Sequence, residues 1–150
     1  MTIKLKGVIG WDVFGYDFSD MLSKLHGDID LEIDSPGGIV SDGITIANAI
    51  RNYDKGKITG RVVGEACSMA SYIMLFCDEL FFEPNATVMI HEPYGGCLGT
   101  AKDLDSAAES LRKHSDVMAL EYSKHGFGTF EECKALNWAP FVLGFVIVGL

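Results

Sequence analysis

The sequence predicts an α/β protein with a mainly parallel sheet, and three observations support this fold class. Strand-type and helix-type segments alternate along most of the chain, which is typical of parallel strands joined by right-handed crossovers. The length of 150 residues fits one ordinary domain. A hydrophobic fraction of 48% with 22% charged residues is typical of a globular protein. We therefore expect a single domain over residues 1–150.

The first half of the chain contains three predicted strands, at 3–9, 29–33 and 58–63. Between them, apolar residues at intervals of three and four predict two amphipathic helices. We expect the first helix to end near Gly27 and the second to be capped by Ser41 or Asp42. The apolar faces comprise Phe18, Met21, Leu22 and Leu25 in the first helix, and Ile46, Ala49, Ile50 and Tyr53 in the second.

The second half begins with a predicted small-residue helix at 68–76, followed by two short strands at 80–82 and 87–90. A long helix is predicted at 101–124, with an apolar stripe broken only at Ser115. A stripe of that length on an acidic chain favours a homo-oligomer, although it could also pack on its own domain. The stripe consists of Leu104, Ala108, Leu111, Met118 and Tyr122.

Charge and cysteine content restrict the function classes. Twelve basic and twenty-one acidic residues give a net charge of −9, which disfavours binding to nucleic acid or anionic membranes. The four cysteines form neither a CxxC pair that could hold zinc nor a dense disulfide framework, so we expect a reducing, cytoplasmic location and no metal. We also expect no cofactor. The N-terminus lacks the apolar core of a signal peptide, and the apolar run 139–150 is too short to span ~30 Å of hydrocarbon.

Ser68 is the first candidate for chemistry, because it lies where a predicted strand ends at Gly64 and a helix begins. Such a turn presents a hydroxyl beside the free N–H groups of a helix start, which can stabilise an oxyanion. The alternative is that Ser68 is a simple N-cap. The α/β-hydrolase signature GxSxG is absent.

Two further segments could lie close to a ligand. The turn Ser35-Pro36-Gly37-Gly38 follows a strand, and its glycines allow close approach of a backbone, although it could be an ordinary tight turn. His91 ends an apolar strand, a common position for a general base, although a lone histidine can be purely structural.

The order and spacing of these segments resemble the proteolytic subunit of the Clp protease. The resemblance rests on 33–38 (IDSPGG), 64–71 (GEACSMAS) and 88–93 (VMIHEP), and it extends roughly from Lys6 to Glu132. The segments 7–11 (GVIGW) and 70–74 (ASYIM) look closer to the phage and prophage branch, the Clp-like prohead (head maturation) proteases.

The resemblance implies a serine endopeptidase that acts through an acyl-enzyme on extended polypeptides, with phage capsid or scaffold proteins as candidate substrates. Ser68 would be the nucleophile, His91 its general base, and the N–H groups of Gly38 and Met69 the oxyanion hole. Two strands would clamp the substrate between them by β-augmentation. These strands would contain Ile39 and Val40 on one side, and Tyr94, Gly95 and Gly96 on the other.

The implied fold is the spiral of βα units shared with crotonases, with 101–124 as a projecting handle helix. The implied assembly is a homo-oligomeric ring, with an ATPase or a capsid or scaffold protein as candidate partner. Cys67 is a rival nucleophile, because thiols are intrinsically more reactive than hydroxyls. A catalytically inactive, ring-forming assembly protein and an acyl-CoA enzyme of the crotonase type are the alternatives from other classes.

The chain departs from the family pattern near its C-terminus. The family's third triad member is an aspartate after the long helix, and this chain has no aspartate beyond Asp116. The later acids are Glu121, Glu131 and Glu132, and Asn137 could stand in. We expect an atypical, shortened C-terminus from about 133, produced by a frameshift or truncation, or else a genuine short strand.

Overall fold

The computed structural model describes residues 1–135 and 139–141. The strands are β1 (Thr2–Lys6), β2 (Ile29–Ser35), β3 (Ile58–Cys67), β4 (Glu79–Phe82), β5 (Thr87–Ile90) and β6 (Ala139–Phe141). The helices are α1 (Gly15–Lys24), α2 (Val40–Arg51), α3 (Met69–Met74), α4 (Ala101–Lys124) and α5 (Phe130–Lys134). The chain divides into two compact units, of which unit 1 contains residues 1–90 with 140 and 141, and unit 2 contains 91–135 and 139.

Unit 1 is built on a sheet with the strand order β1-β2-β3-β5-β6, and β4 also pairs with β3. The pairs from β1 to β5 are parallel, so the predicted α/β class with a parallel sheet is confirmed. The first half of β3 pairs with β4, whereas its end pairs with β5 over Glu65–Cys67. This arrangement brings the ends of β2, β3 and β5 to one edge of the sheet.

One face of the sheet forms the core of unit 1. Side chains at alternate positions of β1, β2 and β3 are completely buried, as the period of two of a strand requires. The other face carries ion pairs between neighbouring strands, such as Lys4 with Glu32 at 3.2 Å and Lys6 with Asp34 at 3.2 Å. The buried positions therefore coincide with the apolar residues of the alternating pattern. The core side chains of these strands are Leu5, Leu31, Ile33, Ile58 and Val62.

Several boundaries differ from the sequence prediction. β3 continues through Gly64 to Cys67, because its last residues gain β5 as a partner. The expectation that Ser41 or Asp42 caps the second helix was wrong: the cap is Ile39, and Asp42 instead accepts a hydrogen bond from Gly15 N–H at 2.7 Å. Asp42 thus joins the first turns of α1 and α2.

Unit 2 contains α4, with the predicted bounds, and α5, which the hydrophobic pattern did not predict. Both helices begin with a capping box, formed by Thr100 with Asp103 and by Thr129 with Glu132. The predicted stripe is only partly buried, because Leu104 remains 47% exposed whereas Ser115 is buried. The burial is confined to the C-terminal half of α4, where α5 packs against it. In the described part of the chain, no helix has the length and hydropathy needed to cross a bilayer.

Candidate active site

Ser68 forms a sharp turn between the last residue of β3 and the first residue of α3. Its backbone has φ 54° and ψ −123°, and within 1–135 and 139–141 no other non-glycine residue has a positive φ. Such a conformation costs about 1–3 kcal/mol and persists only where its surroundings enforce it. Ser68 occupies the N-cap position, but its side chain makes no capping hydrogen bond, so the simple N-cap interpretation was wrong.

Hydrogen bonds on both sides enforce the conformation of Ser68. Its N–H donates to the carbonyl of Met89 in β5 at 2.8 Å. Its own carbonyl accepts from the N–H groups of Ser71 at 3.0 Å and Tyr72 at 3.2 Å, and from the Ser71 hydroxyl at 2.6 Å. The strained residue is therefore anchored both to the first turn of α3 and to the strand that leads to His91.

The loop Ser35-Pro36-Gly37-Gly38 is fixed by hydrogen bonds to the segment after β1. The buried Ser35 hydroxyl donates to the Gly7 carbonyl at 2.6 Å and accepts from Gly37 N–H at 3.1 Å. Ile9 N–H donates to the Gly37 carbonyl at 2.9 Å, and the Ile9 carbonyl accepts from Ile39 N–H at 2.9 Å. The loop is therefore rigidly held at both ends.

Gly37 brings this loop into contact with the Ser68 turn. It has φ +94°, and a Cβ there would lie 2.6 Å from the Cys67 carbonyl oxygen and 2.7 Å from Ser68 Cβ. Only glycine permits both the positive φ and this close approach. The loop is thus part of the surroundings of Ser68 and more than an ordinary tight turn.

Gly38 and Met69 bring available N–H groups to this region. Across residues 1–135 and 139–141, the N–H groups of these two residues donate no hydrogen bond. Met69 opens α3, where the first N–H groups lack intrahelical acceptors and carry the positive end of the helix dipole. Met69 follows Ser68 directly, and Gly38 follows Gly37, which approaches the Ser68 turn. N–H groups without an acceptor can stabilise negative charge on a substrate oxygen.

The residues after Gly38 do not form the strand that the resemblance implies. Ile39 is extended, with φ −68° and ψ 127°, and 40% of it is exposed, but Val40 is the first residue of α2. The helix begins this early because Gly43 N–H donates to the Ile39 carbonyl at 3.0 Å. Of the two residues Ile39 and Val40, only Ile39 is therefore extended.

His91 follows β5 directly and begins unit 2. Its ring lies 5.6 Å from the ring of Tyr94, measured between centroids, with 40° between the planes. Tyr94 is 77% exposed, and Gly95 and Gly96 beside it are also exposed. These three residues have no regular secondary structure, so the second strand that the resemblance implies is also not formed.

Cys67 is poorly suited to act as a nucleophile. Its buried Sγ lies 3.5 Å from Glu65 Oε2, and burial, followed by the Glu65 carboxylate, raises the pKa of the thiol to about 11. Because the thiolate is the reactive form, a pKa this high leaves the thiol nearly inert at neutral pH.

Four acids that follow His91 in the chain have structural partners within unit 2. Asp116 pairs with Lys134 at 2.6 Å, and Glu121 with Lys124 at 3.0 Å. The hydrogen bonds from Thr100 and Thr129 lower the pKa values of Asp103 and Glu132, respectively. Asn137 lies outside the described residues.

The sequence analysis missed the roles of Ser35 and Ser71, although both lie within segments that it singled out. Both hydroxyls are completely buried and hydrogen-bonded to backbone carbonyls of neighbouring segments. A serine three residues after Ser68, on an otherwise apolar helix, was the available signal for Ser71.

Comparison with known protein families gives a match to the model of the Clp protease family over residues 21–137. The matched region includes the loop 35–38 (the glycine loop), the Ser68 turn and His91.

Proposed function

The chain belongs to the Clp protease family, and from this premise we propose that it is a serine endopeptidase with Ser68 as its nucleophile. The observation that carries the proposal is the strained backbone of Ser68, with φ 54° at a strand-to-helix turn. The nucleophilic serine of α/β-hydrolases also sits on a strained strand-to-helix turn, because such a turn presents the hydroxyl beside helix N–H groups.

The proposed chemistry is acyl transfer in two stages. His91 accepts the Ser68 hydroxyl proton as the oxygen attacks a peptide carbonyl, and then donates that proton to the leaving amine. A water molecule, deprotonated by His91, subsequently hydrolyses the ester bond and restores the Ser68 hydroxyl. The peptide with its new C-terminal carboxyl group then leaves, Ser68 is free again, and the cycle requires no cofactor.

The N–H groups of Gly38 and Met69 are the proposed oxyanion hole. This assignment is supported by their lack of acceptors within 1–135 and 139–141 and by the contact of the glycine loop with the Ser68 turn. Donors that are already oriented need no reorganisation as charge develops, and removing one typically costs about 10²–10³ in rate.

The proposed substrate is an extended polypeptide. Tyr94, Gly95 and Gly96 are exposed and can offer backbone groups to it. Ile39 would contribute its exposed side chain, because its N–H and carbonyl already bind Ile9 and Gly43, and Val40 would contribute through the first turn of α2. Members of this family typically form oligomeric rings and act on polypeptides, which supports a homo-oligomer. The prohead subtype, a capsid or scaffold substrate, an ATPase partner and a cytoplasmic location also belong to this proposal.

A catalytically inactive assembly protein of the same fold is the second candidate. A serine protease needs an acid that orients its histidine. The inactive protein is favoured because Asp103 and Asp116, which follow His91 in the chain, are already engaged by Thr100 and Lys134. Loss of the orienting aspartate can reduce the rate of a serine protease by about 10⁴.

Labelling with a fluorophosphonate, followed by mass spectrometry, tests the proposed function. We expect the label on Ser68, no label in Ser68→Ala, and unchanged labelling in Cys67→Ala, which removes the rival nucleophile. His91→Ala should be labelled far more slowly, because the general base is missing. A folded parent protein that takes up no label and cleaves no peptide would favour the inactive assembly protein.

A further inference from the structure

Ser71 is a completely buried polar residue to which the acyl-transfer chemistry assigns no role. It lies in the first turn of α3, three residues after Ser68. Its Oγ is 2.6 Å from the Ser68 carbonyl oxygen and 3.1 Å from the Met89 carbonyl oxygen. One hydroxyl, whose single proton the two carbonyl oxygens share, therefore lies between the backbone of the strained serine and the backbone of β5.

The contact with Met89 distinguishes Ser71 from an ordinary helical serine. Serines in helices often donate to a carbonyl of the preceding turn, and the bond to Ser68 alone would be of that kind. Met89, however, belongs to another element, and its carbonyl is also the acceptor of the Ser68 N–H at 2.8 Å. Ser71 and Ser68 thus share one acceptor in β5.

We propose that Ser71 is a positioning residue that holds Ser68 in its strained, reactive conformation. The inference rests on the proposed function, because it assumes that Ser68 is the nucleophile. Without the hydroxyl, the Ser68 carbonyl loses its shortest hydrogen bond and the tie between α3 and β5 is weakened. The Ser68 backbone can then relax toward an unstrained conformation, which moves its hydroxyl away from the Gly38 and Met69 donors.

Two substitutions separate the hydrogen bond from packing. Ser71→Cys nearly preserves the volume but offers only a weak donor, whereas Ser71→Thr keeps the hydroxyl and adds a methyl group. Ser115→Cys is the matched control, since it makes the same change at a buried serine of α4, which belongs to unit 2.

The readouts are the fluorophosphonate labelling rate at Ser68, and kcat and KM on a peptide substrate, each measured beside the thermal unfolding midpoint. We expect Ser71→Cys to label roughly 10- to 100-fold more slowly, as small misplacements of reacting groups do. Its kcat should fall with little change in KM, because the lost interaction acts on the reacting geometry. Ser71→Thr should label within a few-fold of the parent, and Ser115→Cys at the parent rate.

Two results would overturn the inference about Ser71 and leave the proposed function intact. The first is labelling of Ser71→Cys at the parent rate. The second is an equal loss of labelling rate in Ser71→Cys and Ser71→Thr, which would show that packing and not the hydrogen bond is responsible. A folded parent that takes up no fluorophosphonate would overturn the proposed function, and the inference with it. The unmutated protein therefore distinguishes the two failures.

Discussion

Cys67 and Ser68 are consecutive residues, yet the fold gives their side chains different environments. The Cys67 side chain is buried beside the Glu65 carboxylate, and both effects raise the pKa of its thiol. Ser68 lies at a strained turn between β3 and α3. The intrinsically better nucleophile is thereby suppressed, whereas the weaker one occupies the turn on which the proposed acyl-transfer chemistry rests.

The pKa of Cys67 predicts how its reactivity depends on pH. In the folded protein the thiolate forms only as the pH rises toward about 11, whereas the ordinary value is 9.0. We expect iodoacetamide to modify the exposed Cys97 readily at pH 7.5, and Cys67 only as the pH is raised toward 11. Quantitative mass spectrometry of each cysteine, in native and in urea-denatured protein, measures this difference.

The raised pKa of Cys67 also makes the stability of the protein depend on pH. Because the thiol ionises in the unfolded chain near 9.0 but in the folded chain only near 11, its contribution to stability is complete below pH 9. That contribution is lost as the pH rises from 9 toward 11. Native Cys67 that reacts as fast as Cys97 at pH 7.5 would contradict the buried, neutral thiol.

At the scale of elements, the Ser68 turn is held by the ends of three strands of unit 1. β3 ends in the Ser68 turn, β2 leads into the glycine loop, and β5 accepts the Ser68 N–H through Met89. Parallel strands end at the same edge of a sheet, which is why such edges commonly hold functional sites. The site therefore depends on contacts between elements that are distant in sequence.

Gly37→Ala tests the contact between the glycine loop and the Ser68 turn. The added Cβ would lie 2.6 Å from the Cys67 carbonyl oxygen, so the loop must move away from the turn. We expect fluorophosphonate labelling of Ser68 to fall by about tenfold or more, and the free energy of unfolding to fall by more than about 1 kcal/mol. Labelling kinetics and urea denaturation measure the two effects.

Gly27→Ala is the matched control, because Gly27 also has a positive φ, of +81°, but a Cβ there meets nothing within 4 Å. It should cost about 1–2 kcal/mol from backbone strain alone and leave the labelling unchanged. Equal labelling of the Gly37 and Gly27 variants would show that the loop contact does not matter for Ser68.

At the scale of the whole molecule, charge and exposed apolar surface bear on assembly. The net charge of −9 opposes self-association, so any homo-oligomer needs apolar contacts to offset the repulsion. A candidate lies on the predicted stripe of α4, where Leu104 is 47% exposed and Ala108 and Leu111, on the same helix face, are half-buried. An apolar stripe that is not fully buried can supply such contacts.

We expect light scattering to give a mass several times that of the 16.3 kDa chain. Leu104→Glu should lower that mass without changing the far-ultraviolet circular dichroism, because it places a charge on the apolar stripe. Ser106→Glu adds the same charge at another exposed position of α4 and should leave the mass unchanged. A parent protein with the mass of a single chain would contradict the homo-oligomer.

The sequence predicted the type and order of most elements, since local periodicity reports which side chains are buried. The bounds of β5 and α4 were correct, whereas β3 was predicted too short and α5 was missed. The end of β3 contains Gly64, which is unfavourable in a strand, but it gains β5 as a pairing partner there. Long-range pairing of this kind overrides local propensity.

The amino-acid sequence by itself determined the α/β class, the order of most strands and helices, and the resemblance that singled out Ser68, Gly38 and His91. These follow from side-chain periodicity and from short segments of ordered residues, which are local properties. Only the tertiary structure decided the strain at Ser68, the suppression of Cys67 and the bridging role of Ser71. Each of these depends on burial or on a hydrogen bond to a distant segment, and neither can be inferred from the local pattern of residue types.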